Sequence, residues 1–253
     1  MAGKDGCKFL VMGYKCGGGR EAALCPLAEA EQAGLSRGVG LEQRFFRGSM
    51  VESFEVELPA WVGPAVALWP AEVTAPERRM ELVLDLARRN VLEKTGGPFA
   101  AAVFTCDSGR VVAAGVNRVV ACNCSSAHAE VVALSLAQRR LAVYDLGGEG
   151  LPRHELVVNW RPCAMCFGAL LWSGIRHLTI AGSGPELETL TGFDEGPIHP
   201  QWRRELASRG IGLSENVCRR EAVELFRWFA ESGSEVYNPR REPQPSPPSR
   251  SMP

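Results

Sequence analysis

No apolar run in this chain approaches the ~20 residues needed to cross a bilayer, and it does not open with a positive region followed by an apolar core and a small-residue cleavage site. Excess charge is missing too: 28 Lys and Arg stand against 29 Asp and Glu, for a formal charge of −1. A balance of that kind gives phosphate backbones and anionic lipid little to hold, and suits a small neutral ligand better. Histidine is scarce, with four in 253 residues. Of these, His154, His177 and His199 have no partner pattern, so surface or packing roles are expected. A disulfide framework is absent as well. The nine cysteines are odd in number, and once Cys163 and Cys166 are set aside, Cys7, Cys16, Cys25, Cys106, Cys122, Cys124 and Cys218 show no pairing pattern. The expectation is a soluble cytoplasmic protein with reduced thiols.

What is present divides the chain into three. Residues 1–49 hold the Gly17-Gly18-Gly19 run and short apolar pieces with neither helical nor strand period, and are expected to be a poorly ordered N-terminal extension. Met50 opens a stretch in which Phe54, Val56 and Leu58 alternate before Pro59, which makes it a candidate start of translation; the intact mass of the native protein tests this. With 45% hydrophobic residues, the chain can bury one core with decorations or two small ones, and one domain over 50–238 is the better fit. From residue 239 Pro, Ser and Arg dominate, and that tail is expected to be disordered.

Within the domain, Thr74 is placed to cap a helix that Pro76 opens and Met80, Leu82, Val83, Leu86, Ala87 and Val91 make amphipathic. Gly96-Gly97-Pro98 ends it. Residues 99–105 and 110–119 read as a hairpin around Asp107-Ser108-Gly109. Ser125 or Ser126 is expected to cap a helix from about residue 127 to Leu141, with His128 and Glu130 in its first turn. A short strand over 156–160 leads to a helix started by Pro162 and stopped by Gly174, and a further strand over 176–181 follows. A short helix near 201–208, a strand near 211–213 and an amphipathic helix over 217–230 complete the domain. Alternating strands and helices after a hairpin predict an α/β fold, a three-layer α/β/α sandwich with a central mixed sheet. Ligands collect at the carboxyl ends of strands in such sheets, which is where both pattern-bearing helices begin.

The chemistry lies in Ala127-His128-Ala129-Glu130 and Pro162-Cys163-Ala164-Met165-Cys166. Cys163 and Cys166, three apart, share one face of a helix whose N-terminus favours thiolates. His128 from the other helix completes an N/S ligand set for zinc that leaves a fourth position open. Glu130 is placed to move protons beside that position. The rival reading is a closed structural zinc, for which Cys122 or Cys124 would be the fourth ligand, or plain packing of His and Cys.

These two segments make the chain resemble the cytidine-deaminase-like superfamily, whose mark is H-x-E followed by P-C-x-x-C. Within it the chain is most similar to the bacterial-type guanine deaminases, through Gly97-Pro98-Phe99-Ala100-Ala101-Ala102-Val103, Asn117-Arg118-Val119, Cys166-Phe167-Gly168-Ala169, Trp172-Ser173-Gly174, Gly192-Phe193-Asp194-Glu195-Gly196-Pro197 and Tyr237-Asn238. The resemblance implies hydrolytic deamination of guanine to xanthine and ammonia by a homodimer with zinc as cofactor. It makes Glu130 the proton shuttle and Glu195 a second acid near the leaving amine. Asn117 would hydrogen-bond the base, Phe99 would form its aromatic wall, and Ala129 and Tyr237 would join the substrate-binding residues, Tyr237 closing the pocket of its own subunit or of a neighbour. Read on their own, Asn117 is also an ordinary turn former, Phe99 a core residue, and Asp194 and Glu195 solvated turn residues.

Arg161 departs from the pattern: relatives carry Glu before the Pro-Cys pair, and Arg reverses the field there. The readings to be weighed against guanine are deamination of another amino-heterocycle, such as cytosine or an aminotriazine, and an inactive zinc-stabilised binding module. A nucleic-acid editor would need a basic surface.

Overall fold

The structure is a computed structural model that describes residues 53–238. The expectations for residues 1–49, for a start at Met50 and for the tail from 239 lie outside the described residues. In chain order the elements are α1 (Val62–Ala67), α2 (Pro76–Leu92), β1 (Ala100–Thr105), β2 (Val111–Val116), α3 (Ala129–Leu141), β3 (His154–Val158), α4 (Ala164–Trp172), β4 (His177–Ile180), α5 (Glu186–Thr191), α6 (Trp202–Ser208), β5 (Gly212–Ser214) and α7 (Arg219–Glu231).

The small and β-branched side chains either side of Asp107-Ser108-Gly109 pair as anticipated. β1 and β2 run antiparallel, from Ala100 opposite Val116 to Val103 opposite Ala113, with one irregularity before Phe104 meets Val111. Gly109 takes a left-handed φ of +69°, and a Cβ there would lie 2.1 Å from the Val73 carbonyl oxygen, so only glycine fits. β1 also pairs antiparallel with β3, while β3 with β4 and β4 with β5 are parallel. The result is a mixed five-stranded sheet in the order β2-β1-β3-β4-β5.

Every residue of β1 and of β3 is buried, which requires cover on both faces. Alternation divides the work. Ala100, Ala102 and Phe104 face a core shared with α1, α2, α5 and α7, where Met80, Leu86, Leu187 and Phe226 sit. Ala101 and Val103 face a second core with Ala133 and Leu134 of α3, Leu170 of α4 and Leu206 of α6. The three-layer α/β/α sandwich is thus realised. Across the first core runs a buried ion pair, Arg79 of α2 donating to Glu155 of β3, whose other oxygen accepts from Thr179 of β4.

Three local expectations are corrected. α2 is capped by Ala75, not Thr74, with no side-chain cap bond, because Pro76 at the first position already removes one unsatisfied N–H. α3 begins at Ala129 with His128 as N-cap, and neither serine caps it; the Ser126 hydroxyl is 3.2 Å from the Cys124 sulfur instead. α4 begins after Pro162, at an N-cap supplied by Cys163, whose sulfur accepts from the Cys166 amide at 3.5 Å. α1 was not anticipated at all, since Gly63 and Pro64 interrupt its sequence.

Candidate active site

α3 and α4 meet where β3 ends, and their N-caps are the two residues that matter most. His128 and Cys163 both have extended backbone, with ψ of 153° and 172°, which turns each side chain off the end of its helix. α3 can approach because β2 offers Gly115: a Cβ there would stand 2.5 Å from the Ala129 carbonyl oxygen and 2.6 Å from the Ala133 nitrogen. Donor atoms of His128, Cys163 and Cys166 lie within 4.8 Å of one another, and His128 Nδ1 is 3.5 Å from Cys163 Sγ.

Protons are shared tightly in this cluster. The hydrogen bond from the Cys166 thiol holds Cys163 down to about 4, a thiolate at neutral pH. The same bond, followed by burial, pushes Cys166 far up. Burial alone would discharge the His128 ring, but the bond to Cys163 and the charge of Glu130 outweigh it and raise its pKa. Glu130, 7% exposed, is raised by burial and by the Cys163 charge. An imidazole and two thiols, one already anionic, fit a borderline-soft divalent ion such as zinc. Cys122 and Cys124 stand outside the cluster. Three protein donors leave the fourth position free.

A cavity of about 680 Å³ opens beside these donors, lined by Glu130, Phe99, Asn117, Trp160, Glu195 and Tyr237 among others. Phe99 is held by Asn159, whose Nδ2 donates to Pro98 O at 2.9 Å while its Oδ1 accepts from Ala100 N at 3.1 Å. Its ring meets Phe193 edge-on at 5.0 Å, and Phe193 meets Tyr237 at 5.1 Å, so the wall is aromatic. Asn117, just past the end of β2, is 1% exposed. Its carbonyl accepts from Asn90 Nδ2 at 3.0 Å, and its own Nδ2 donates to the Tyr237 hydroxyl. Tyr237 therefore stands over the pocket of its own chain, its phenol pKa raised by burial.

Glu195 follows α5 in a turn. Its carbonyl accepts from Ala164 N at 3.1 Å, and burial followed by the Cys163 charge pushes its carboxyl up to about 8. Asp194 is exposed and builds the turn, its Oδ1 accepting from Gly196 N at 2.8 Å. Asn238 ties the chain's return to this loop, accepting from Asp194 N at 3.0 Å and donating to Gly192 O at 2.8 Å. Ala129, also a candidate contact, is fully buried and does not line the cavity. Arg161 does line it, but its charge is met by Glu188 at 3.2 Å, so the reversed field is largely answered locally. His154 and His177 are spent on Leu146 O and the Ser214 hydroxyl, outside the site.

Three asparagines were missed. Asn90 had a visible signal, a polar residue on the apolar face of α2 beside Val83, Leu86, Ala87 and Val91. Asn238 stood only as part of the Tyr237-Asn238 pair, with no role given to it, and Asn159 had no signal, since a polar residue after a strand reads as a turn former.

The family described as "Cytidine and deoxycytidylate deaminase zinc-binding region" matches residues 73–181. A solved structure of guanine deaminase from Nitrosomonas europaea superposes with a TM-score of 0.68 at 46% identity, covering 73% of this chain and 100% of the other. Guanine deaminase of Bacillus subtilis (strain 168) is 30% identical over 155 residues, 59% of this chain and 94% of that protein. The tRNA-specific adenosine deaminase of Buchnera aphidicola is 35% identical over 120 residues, 47% of this chain and 72% of that one. With the His-Ala-Glu and Pro-Cys-Ala-Met-Cys segments meeting at one sheet edge, the chain belongs to the cytidine-deaminase-like superfamily, in its guanine-deaminase branch.

Proposed function

We propose that this protein is a zinc-dependent aminohydrolase that converts guanine and water to xanthine and ammonia. The observation that carries the reading is the placement of buried Glu130 and the His128, Cys163 and Cys166 donors at one end of a cavity with an aromatic wall. Those three residues would hold zinc, which when bound supplies Lewis acidity and brings the pKa of a water down to near neutrality. Glu130 takes a proton from the attacking water, whose oxygen adds to the amino-bearing ring carbon. The same carboxyl returns protons to the ring nitrogen and to the departing amine as the carbon–nitrogen bond breaks. Of the water's two protons, one ends on the ring nitrogen and one on ammonia.

Phe99 and Phe193 stack or edge against the base, Asn117 offers it an amide, and Glu195, protonated near neutral pH, stands as a donor or acceptor close to the leaving amine. Asn117 gives one amide N–H to the Tyr237 hydroxyl, which leaves its second N–H and a lone pair of its Oδ1 for the base. A free base suits the site better than a nucleic acid: Arg161 is the only Lys or Arg lining the cavity among the described residues. The chain is proposed to act as a homodimer through the apolar face of α4, where Met165 and Trp172, seven apart, are 39% and 88% exposed.

Steady-state rates on guanine, cytosine and adenine test the substrate. Guanine should exceed cytosine by at least ~100-fold in kcat/KM, because a pocket built on hydrogen bonds to one base leaves polar groups unpaired around another. Equal rates would end the guanine assignment.

A further inference from the structure

Among the described residues, three buried side-chain atoms have no hydrogen-bond partner: Arg161 Nε, Glu186 Oε2 and Glu188 Oε2. They belong to two ion pairs, Arg161–Glu188 and Arg219–Glu186, of which Arg161 lines the cavity. Arg161 reaches Glu188 with Nη2 at 3.2 Å. Glu186 accepts from Arg219, whose guanidinium lies 5.2 Å over the Trp160 ring. The Arg161–Glu188 pair thus makes one hydrogen bond where a guanidinium fork and a carboxylate can make two, and its spare donor and acceptor are shut off from water. Such a pair is a poor source of stability, since each buried orphan retains its desolvation penalty. Where a local rule is broken next to a reaction site, a functional demand is the first explanation to consider.

The geometry identifies the demand. Arg161 is anchored by its own amide, which donates to Gly182 O at 2.8 Å, and three residues later Ala164 N donates to Glu195 O at 3.1 Å. Residues 161–164 therefore hold the segment 188–195 twice, once through the Arg161–Glu188 ion pair and once through the Ala164–Glu195 backbone hydrogen bond. The peptide contact fixes the carbonyl of Glu195 but not the approach of α5, which ends at Gly192 in a left-handed conformation of φ +76° and hands the chain to Glu195. Leu187 in the core and the Glu186–Arg219 pair hold α5 from the side of α7, and the Arg161–Glu188 pair ties it to the segment that carries Cys163. The Arg161 side chain is 11% exposed and that of Glu188 36%, so the guanidinium end of the pair is buried while the carboxylate end reaches the surface.

We propose that Arg161 is a positioning residue for Glu195: by gripping Glu188 it sets α5 against the Cys163 turn and so determines the reach of the Glu195 carboxyl into the cavity. This rests on the reading of Glu195 as a group that touches the substrate.

The test compares full-length zinc-loaded wild type, Arg161→Ala, Arg161→Glu with Glu188→Arg, Glu195→Gln, and Arg161→Ala combined with Glu195→Gln. The first readout is amide hydrogen exchange, independent of activity. Arg161→Ala should speed exchange over 188–196 by about tenfold while β1 and β3 stay protected, and the reversed pair should restore it. On guanine, Arg161→Ala should lower kcat about tenfold with KM within about threefold, yet should cost less than about twofold once Glu195 is already Gln, because the two act through one group. Should Arg161→Ala fail to fold, Arg161→Gln, which keeps length and a donor, takes its place. Unchanged exchange over 188–196, or losses from Arg161 and Glu195 that multiply, would overturn the proposal. A wild type silent on guanine, or Glu195→Gln with full activity, would count against the functional reading alone, and the exchange comparison would still decide whether Arg161 orders this segment.

Discussion

Asn117 is held through both its backbone and its side chain. Its amide N–H donates to Phe99 O at 3.0 Å, its carbonyl takes Asn90 at 3.0 Å, and its Nδ2 meets Tyr237. The backbone bonds would survive Asn117→Ala; the side-chain donor would not. That variant should raise KM for guanine by about ten- to a hundredfold, the worth of one or two hydrogen bonds to a buried polar ligand, while kcat falls less. Steady-state kinetics at fixed zinc content checks this, and an unchanged KM would remove Asn117 from base recognition. At this scale the meeting of His128, Cys163 and Cys166 was legible, because a cluster of that chemistry tolerates few residue types at few spacings. Asn90 showed only as a polar residue on an apolar helix face and Asn159 not at all, because holding Gly97 O, Pro98 O and Ala100 N is a task defined only once α2, β1 and the end of β3 are adjacent.

At the scale of elements, the site depends on how closely α3 lies on β2. Gly115 permits a contact that any side chain would break, with Ala129 O 2.5 Å from its would-be Cβ. Gly115→Val should therefore push out the start of α3 and carry His128 and Glu130 with it, costing about 1–3 kcal/mol for overpacking alone. A thermal melt with zinc analysis reads both effects: Tm should drop and metal content should fall below one per chain. A stable variant with full zinc would show that α3 does not need this close approach. Hairpin, sheet class and most helices were readable from period and punctuation. The starts of α2, α3 and α4 were misplaced by one or two residues for a common reason: propensity nominated Thr74, Ser126 and Pro162, whereas tertiary demands took over the ends. His128 and Cys163 occupy N-cap positions in order to leave the helices and meet each other. α1 escaped notice because its burial, at Val62 and Ala65, comes from docking on α2 and not from a periodic sequence.

For the whole molecule, the balance of charge and a cavity with Arg161 as its one basic residue among those described suit a small neutral substrate, and the proposed dimer through α4 can be tested directly. Trp172→Glu, placed at a position 88% exposed, should leave the fold intact and shift sedimentation from dimer to monomer, since an unpaired charge buried in an apolar interface costs several kcal/mol. A wild type that sediments as a monomer at micromolar concentration would refute the dimer. The central claim, that the His128, Cys163 and Cys166 cluster and Glu130 form one hydrolytic centre, is tested most directly by ammonia release from guanine by wild type and Glu130→Gln, each assayed for bound zinc. The account predicts about one zinc per chain in both, and a rate in Glu130→Gln lower by roughly 100- to 10,000-fold, the usual contribution of a positioned acid–base group. Wild-type ammonia release by zinc-loaded Glu130→Gln would contradict it.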